Sequence, residues 1–371
     1  MRLNQVDIPS ASELKCEDLT NVRRTSYGRF YFGLLILGLL LCIAVLLAAS
    51  YGAAPIPVKI ILSILLHRIG ISHGPLTWPK STETIILQIR LPRVIAASLI
   101  GAALSVAGVI FQGLLRNPLA DPYVIGTSGG AALGATLGFL ISAHFSILGF
   151  GVVPALAFCG ALGAVAAAYW LARTGARTPV VTLLLAGFAL SVILSYSMSL
   201  LLILNDRLQL NLRVLYSWLL GGVSVTSWTQ VEVIAVLVFV AGGSSLAFGK
   251  SLNAMSLGDD AAQLLGVPVE RHRAALLSLG SMLTGIAVVG GGLIGFVGLI
   301  VPHALRMIFG PEHSRLLLLS AVAGAVFLVI ADLLCRILIP PNELPVGILT
   351  AFIGGPLFLY LLRRSKREYR F

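Results

Sequence analysis

Five stretches of this chain run for 18 to 28 residues without a single charged side chain: Phe30–Ser50, Val94–Phe111, Gly151–Ala172, Leu183–Leu204 and Ala274–Val301. A helix needs roughly 20 apolar residues to cross the hydrocarbon core of a bilayer. Backbone groups in that layer find no water, so an apolar run must close its hydrogen bonds within itself as helix. A β-barrel would alternate apolar and polar residues over short segments, and these runs are continuous. Only 11% of the 371 residues are charged, where a soluble chain carries about a quarter. The sequence therefore reads as an all-α, polytopic membrane protein.

Shorter or interrupted apolar segments at 124–142, 231–248, 299–309, 316–339 and 346–362 bring the expected number of membrane helices to about ten. An even number places both termini on one side. On that arrangement 18 of the 26 Lys and Arg share the side of the termini, which the positive-inside bias makes the cytoplasm. The net charge of +11 has the same meaning, positive flanks against lipid rather than a nucleic-acid footprint. Residues 1–29 read as a cytoplasmic arm, 30–362 as the transmembrane domain and 363–371 as a basic cytoplasmic tail.

Enzyme and cofactor motifs are weak. GGGLIG at Gly290–Gly295 fits a dinucleotide loop only formally, because it lies inside an apolar span with no strand before it, and it reads as packing glycine. GSSLAFGKS at Gly243–Ser251 has one residue too many between its glycines for a phosphate loop. Cys16, Cys42, Cys159 and Cys335 are scattered and give neither a disulfide frame nor a zinc spacing. No metal and no bound cofactor is expected in this chain.

The informative residues are the polar ones that interrupt apolar territory. In QIRLPRVIAA, Pro92 suits the first turn of a helix whose apolar body follows. Arg90 and Arg93 then stand at a helix N-terminus on the outer face, against the dipole and against the orientation bias. Negative charge is expected to compensate them, from lipid headgroups or from an external partner. Asp332 and Arg336 in VIADLLCRIL are four apart on one helix face, either a structural ion pair or a functional arginine.

RNPLADPYVIGTSGGA, Arg116 to Ala131, is the strongest interruption. Asn117-Pro118 and Asp121-Pro122 keep residues 116–122 out of regular helix. Such backbone is tolerated at membrane depth only beside protein or a water-filled cavity, as in a transport path or a re-entrant turn. Gly126, Gly130, Gly134 and Gly138 follow at four-residue spacing, a smooth stripe for close helix packing. The longest polar loop, Gly249–Arg273, contains signals for one or two short surface helices: Asp259 to begin one, Asp260 in its first turn, Gly266 and Pro268 to end it. Met255, Leu257, Leu264 and Leu265 are expected to form an apolar face for a groove in another protein or for lipid.

At these residues the chain resembles the permease subunits of type II ABC importers, the FecCD-like proteins that carry iron–siderophores, haem and cobalamin. The matching segments are QIRLPRVIAASLIGAALSVAGVIFQGLLRNPLADPYVIGTSGGAALG, TLLLAGFALS, AMSLGDDAAQLLGV, GLIGFVGLIVPHALRM and ADLLCRILIPPNELPVGILTAFIGGPLFLYLL, and together they reach from about Gln88 to Leu362. The resemblance implies a homodimer of ten-helix subunits in a bacterial or archaeal plasma membrane. Two cytoplasmic ATPase subunits carrying ATP-Mg and one external substrate-binding protein would be its partners. It implies that Arg90, Arg93 and Arg336 receive acidic residues of the binding protein. It further implies that Met255, Ser256, Leu257, Gly258, Asp259, Asp260, Leu264, Leu265 and Gly266 belong to the element that couples to the ATPase. Asn117 and Leu119 would form one cytoplasmic gate, and Val180 and Val181 another, the valines departing from the small hydroxyl residues of relatives. An iron chelate is the expected cargo. The competing class is a secondary transporter driven by an ion gradient, which would need an intramembrane acid, and Asp121 and Asp332 are its candidates.

Overall fold

The computed structural model describes residues 16–52, 55–71, 78–141, 146–175, 177–339 and 342–365. Among them the only extended pairings are two isolated bridges, Ile147 with Phe150 and Thr174 with Arg177; the rest of the regular structure is helical. Helix α1 (Cys16–Ser50) is 35 residues long. At 1.5 Å per residue it spans about 50 Å, more than a bilayer core. Residues 16–29, expected as a loose arm, are its first turns, while 1–15 lie outside the described residues. Helix α2 (Val58–Arg68) was not visible as an apolar run, and it packs Ile61 and Ile64 with Ala49 and Ile86.

Next come α3 (Lys80–Thr84), a π-helical turn (Ile85–Arg90) and α4 (Leu91–Leu114), which form one unbroken helix of 35 residues. The expectation that Pro92 opens a helix is therefore corrected. The π turn shows how proline is tolerated inside one. Leu91 donates its N–H five residues back to Ile86. The next bond of that pattern would come from position 92, where proline has no N–H. The carbonyl of Leu87 is taken instead by the indole Nε1 of Trp228, at 2.8 Å.

The chain continues through α5 (Thr127–Leu140), α6 (Val152–Ala172) and α7 (Val180–Leu204). Two short helices, α8 (Asp206–Leu210) and α9 (Leu212–Leu219), lead to α10 (Trp228–Leu246). The polar loop folds as α11 (Gly249–Ser256) and α12 (Asp259–Leu264). The last four helices are α13 (Val269–Gly291), α14 (Val297–Phe309), α15 (His313–Ile337) and α16 (Val346–Ser365). Residues 366–371 of the basic tail lie outside the described residues.

Seven of the described helices are long and apolar enough to cross a membrane. Helices α5 and α14, with 14 and 13 residues, reach only about 20 Å and fall short of a full crossing. α4 is the axis of the bundle, packed against α10, α13, α14 and α15 and buried along nearly its whole length. α7 is the opposite case. Of its 25 residues only Leu183 and Gly187 are buried, so an apolar surface that includes Leu185, Phe188, Tyr196 and Leu200 faces outward. An outward face of that composition belongs against lipid or another apolar surface.

The glycine stripe explains how α5 is held. A Cβ at Gly130 would collide with the carbonyl oxygen of Gly160, and one at Gly134 with that of Leu156, so the α5 and α6 backbones touch. Gly138 sits against Val153 in the same way. Gly126 differs: it is the N-cap of α5 in the left-handed region, φ 95°, and its nearest neighbour is Gly187 of α7. The run at 290–295 also departs from the packing-only reading. It terminates α13 at Gly292, φ 64°, and opens a non-helical passage to Phe296.

Candidate functional site

The two breaks, 115–126 and 292–296, meet inside the bundle. Asp121 accepts the backbone N–H of Tyr123 at 2.9 Å and that of Phe296, the N-cap of α14. A carboxylate at a helix N-terminus is favoured by the dipole and satisfies donors the helix cannot. Gln112 of α4 donates to the carbonyls of Gly298 and Leu299, both at 3.2 Å. The Pro122 ring lies where a Cβ on Gly298 would sit, and Thr127 Oγ1 donates to the Pro122 carbonyl at 3.2 Å. The inner part of the irregular backbone, at Ala120, Pro122 and Ile125, is thus packed by protein, the condition under which such backbone is tolerated in a membrane protein. Asn117 closes its own turn by accepting the Leu119 N–H at 2.9 Å, and its side chain is exposed while Leu119 is half-buried.

The three arginines gather where the π turn enters α4 and α15 ends, Arg90 in the turn, Arg93 in α4 and Arg336 in α15. Arg93 donates to Asp332 Oδ1 from Nε at 3.1 Å and from Nη2 at 2.9 Å, and pairs with Glu343 at 2.8 Å. Arg336 forms the second ion pair of Asp332, at 3.0 Å. Arg336 also donates to the carbonyls of Ala48 and Tyr51, and Arg90 to those of Ala49 and Ser50 at 2.7 and 2.9 Å. These carbonyls form the C-terminal end of α1, the negative end of its dipole. The compensation sought for Arg90 and Arg93 is therefore present within the chain. Because the helix starts at Lys80, the opposing N-terminal dipole assigned to them does not act there. Arg90 and Arg336 are almost buried, whereas the Arg93 side chain keeps 23% of its exposure. Arg93 borders a cavity of about 480 Å³ lined also by Arg213, Ser217, Trp218, Ser224 and Glu343.

The other end, about 36 Å away along the 24 residues of α4, carries the turn at Asn117 and the helix pair α11–α12. Gly258, φ 117°, joins the two short helices, and Gly266, φ 80°, ends α12. Leu257, Leu264 and Leu265 are exposed, Leu264 to 91%. Met255 is not part of that face. It is buried in the core, because α11 packs its other side against α4 and α15. His313 at the start of α15 holds α11 in place through two contacts to Asn253 Oδ1, both 2.8 Å.

Asp259, expected to start α12, has a larger part. Its Oδ1 accepts from Arg116 Nη2 at 2.5 Å and its Oδ2 from Arg273 Nη2 at 2.6 Å. Arg273, 1% exposed, also donates to Glu270 at 2.5 Å and to the carbonyl of Thr178 at 2.8 Å, just before Pro179 and Val180. Val180 is half-buried and Val181 is 68% exposed. Sequence reading missed Arg116, Glu270 and Arg273, although the Glu270–Arg273 spacing of three is a legible helical pair. Among the described residues no group of His, Cys, Asp or Glu could hold a metal ion.

A bundle of apolar helices with protein-lined breaks at depth, an ionic cluster at one end and exposed apolar helices at the other defines a multi-pass membrane permease. The chain belongs to the FecCD transport family, which it matches over residues 40–364. It is 41% identical over 353 residues to the uncharacterised ABC transporter permease protein YvrB of Bacillus subtilis, covering 94% of this chain and 97% of that one. It is 38% identical to the cobalamin import system permease protein BtuC of Halobacterium salinarum, covering 90% and 95%. To the hemin transport system permease protein HmuU of Yersinia pestis it is 37% identical, covering 90% and 97%. A solved structure reported as an inward-facing metal-chelate type ABC transporter superposes with a TM-score of 0.76 at 30% identity, over 89% of this chain and 98% of that one. The family is one of ABC permease subunits, which are not themselves enzymes and whose ATP is bound and hydrolysed by separate partner subunits. An ion-gradient carrier is not favoured. Its two candidate acids are both engaged, Asp121 on backbone N–H groups and Asp332 between Arg93 and Arg336.

Proposed function

We propose that the chain forms, as a homodimer, the membrane path of an ATP-driven importer of a metal chelate, with an iron–siderophore as cargo. Both termini lie in the cytoplasm on this reading, so α11 and α12 face the ATPase subunits and the arginine end faces the external binding protein. The observation that carries it is the exposure of Leu257, Leu264 and Leu265 on a short helix pair whose opposite side is anchored in the core. An apolar face at a membrane's edge, on a rigidly held element, suits a groove in a partner. The outward apolar surface of α7 supplies the area a second copy would cover.

On this reading Asn117, Leu119, Val180 and Val181 close the cytoplasmic mouth. A valine pair can do so by excluding water. Of the docking arginines, Arg93 offers the most exposed side chain, so it meets the acidic surface of the binding protein most directly. Arg90 and Arg336 support it by fixing the end of α1 beside it.

The experiment is ligand retention followed by uptake. The binding protein that co-purifies with this permease is loaded in turn with a ferric hydroxamate, ferric citrate, haem and cobalamin. Retention and ATP-dependent import of a ferric chelate is the expected result. Retention of cobalamin or haem alone would overturn the iron assignment while leaving the importer reading intact.

A further inference from the structure

We infer that Asp259 and Arg273 are the positioning residues that couple α12 to both gate segments at once. The inference rests on the importer reading above and specifies how motion crosses from the ATPase face to the path. The two carboxylate oxygens of Asp259 serve different segments. Oδ1 holds Arg116, the first residue of the 116–122 turn, and Oδ2 holds Arg273. Arg273 passes the link on, because its Nη1 also holds the Thr178 carbonyl, two residues before Val180. A shift of α12 therefore pulls on Leu119 through one arm and on Val180 and Val181 through the other.

Three features distinguish this from an incidental surface pair. Arg273 is 1% exposed, so its charge depends on these partners for compensation. Its planar fork is what lets one side chain engage Asp259, Glu270 and a carbonyl together, which a lysine ammonium cannot reproduce. Arg116 has φ 50°, a left-handed conformation that residues with a side chain seldom adopt. Such a residue persists where its surroundings hold it, and here its side chain is clasped by the coupling helix.

The test uses the full chain assembled with its ATPase subunits in nanodiscs, with the four native cysteines replaced by alanine. Single reporters, Leu119→Cys or Val181→Cys, are followed by the rate of modification with a water-soluble maleimide, with and without ATP-Mg. In the otherwise unaltered chain nucleotide changes both rates. Arg116→Gln is expected to lose the response at Leu119→Cys and keep it at Val181→Cys, and Arg116→Lys to restore it. Arg273→Lys is expected to lose the response at Val181→Cys. Equal nucleotide responses in the unaltered, Arg116→Gln and Arg273→Lys chains would overturn the inference and leave the importer reading standing. Loss of ATPase subunits from Arg116→Gln would also overturn it, by placing that arginine in the docking surface. No nucleotide response at either reporter in the unaltered chain would instead remove the importer reading itself.

Discussion

Arg93 and Asp332 stand 239 positions apart in the chain and 2.9 Å apart in the fold, and Asp332 is simultaneously the ion-pair partner of Arg336. One buried carboxylate thus bridges two guanidinium groups, with Glu343 supplying a second negative charge to Arg93, and the cluster joins α4 and α15 to the end of α1. Removing one member of a buried ionic cluster leaves uncompensated charge, which costs about 3–5 kcal/mol. Asp332→Ala is expected to destabilise the purified protein by an amount in that range, seen as a lowered thermal midpoint in detergent. An unchanged midpoint would mean the cluster carries no structural weight.

The carbonyl of Leu87, held by the Trp228 indole, gives a second expectation. Trp228→Phe keeps an aromatic side chain, though a smaller one, and removes the indole donor, leaving a polar group unpaired at a cost of about 1–3 kcal/mol. Pro92→Ala restores a backbone donor at the position that the π turn lacks. In the Pro92→Ala background the loss from Trp228→Phe is expected to shrink, and strict additivity in the double-mutant cycle would contradict the account.

Helix α5 provides a third, with its own control. Gly134→Ala would drive a methyl group into the Leu156 carbonyl, and overpacking of this kind costs roughly 1–3 kcal/mol. Gly163→Ala on α6 meets nothing within 4 Å and is expected to be neutral or slightly stabilising. Thermal midpoints of the two variants in the same detergent decide this, and equal effects would contradict the close α5–α6 approach.

Leu264 and Met255 separate docking from packing. Leu264 is 91% exposed, so Leu264→Asp is expected to change stability by no more than about 0.5 kcal/mol and to leave the thermal midpoint nearly unmoved. The same variant is expected to lose co-elution with the ATPase subunits. Met255 is 1% exposed, and Met255→Asp is expected to reduce folded yield instead. Retained co-elution of Leu264→Asp would remove α12 from the docking surface.

Much of this architecture was legible in the residues, and the misses have definite physical causes. Charge-free runs marked the long helices because the bilayer imposes length and composition together. Pro118 and Pro122 marked the first break because each restricts the backbone locally, whereas the second, at Gly292, read as packing glycine because an apolar run does not declare where its helix stops. The shortness of α14 was legible in the brief segment 299–309, but that of α5 within 124–142 was not, since an apolar segment says it is buried and not where its helix begins. Met255 was assigned to the exposed face because a short helix with apolar residues on both sides does not declare which side is packed. The clasp on Asp259 joins positions 116, 259 and 273, and no local pattern connects the first to the others. The three-residue spacing of Glu270 and Arg273 in the first turns of α13 was the available signal that Arg273 had a partner.

The most direct test of the central claim is uptake by proteoliposomes holding this chain, its ATPase subunits and the ferric-hydroxamate-loaded binding protein. Import is expected to require ATP-Mg and to cease when the ATPase subunits are omitted. Import that continues without them, driven by an imposed proton or sodium gradient, would contradict it.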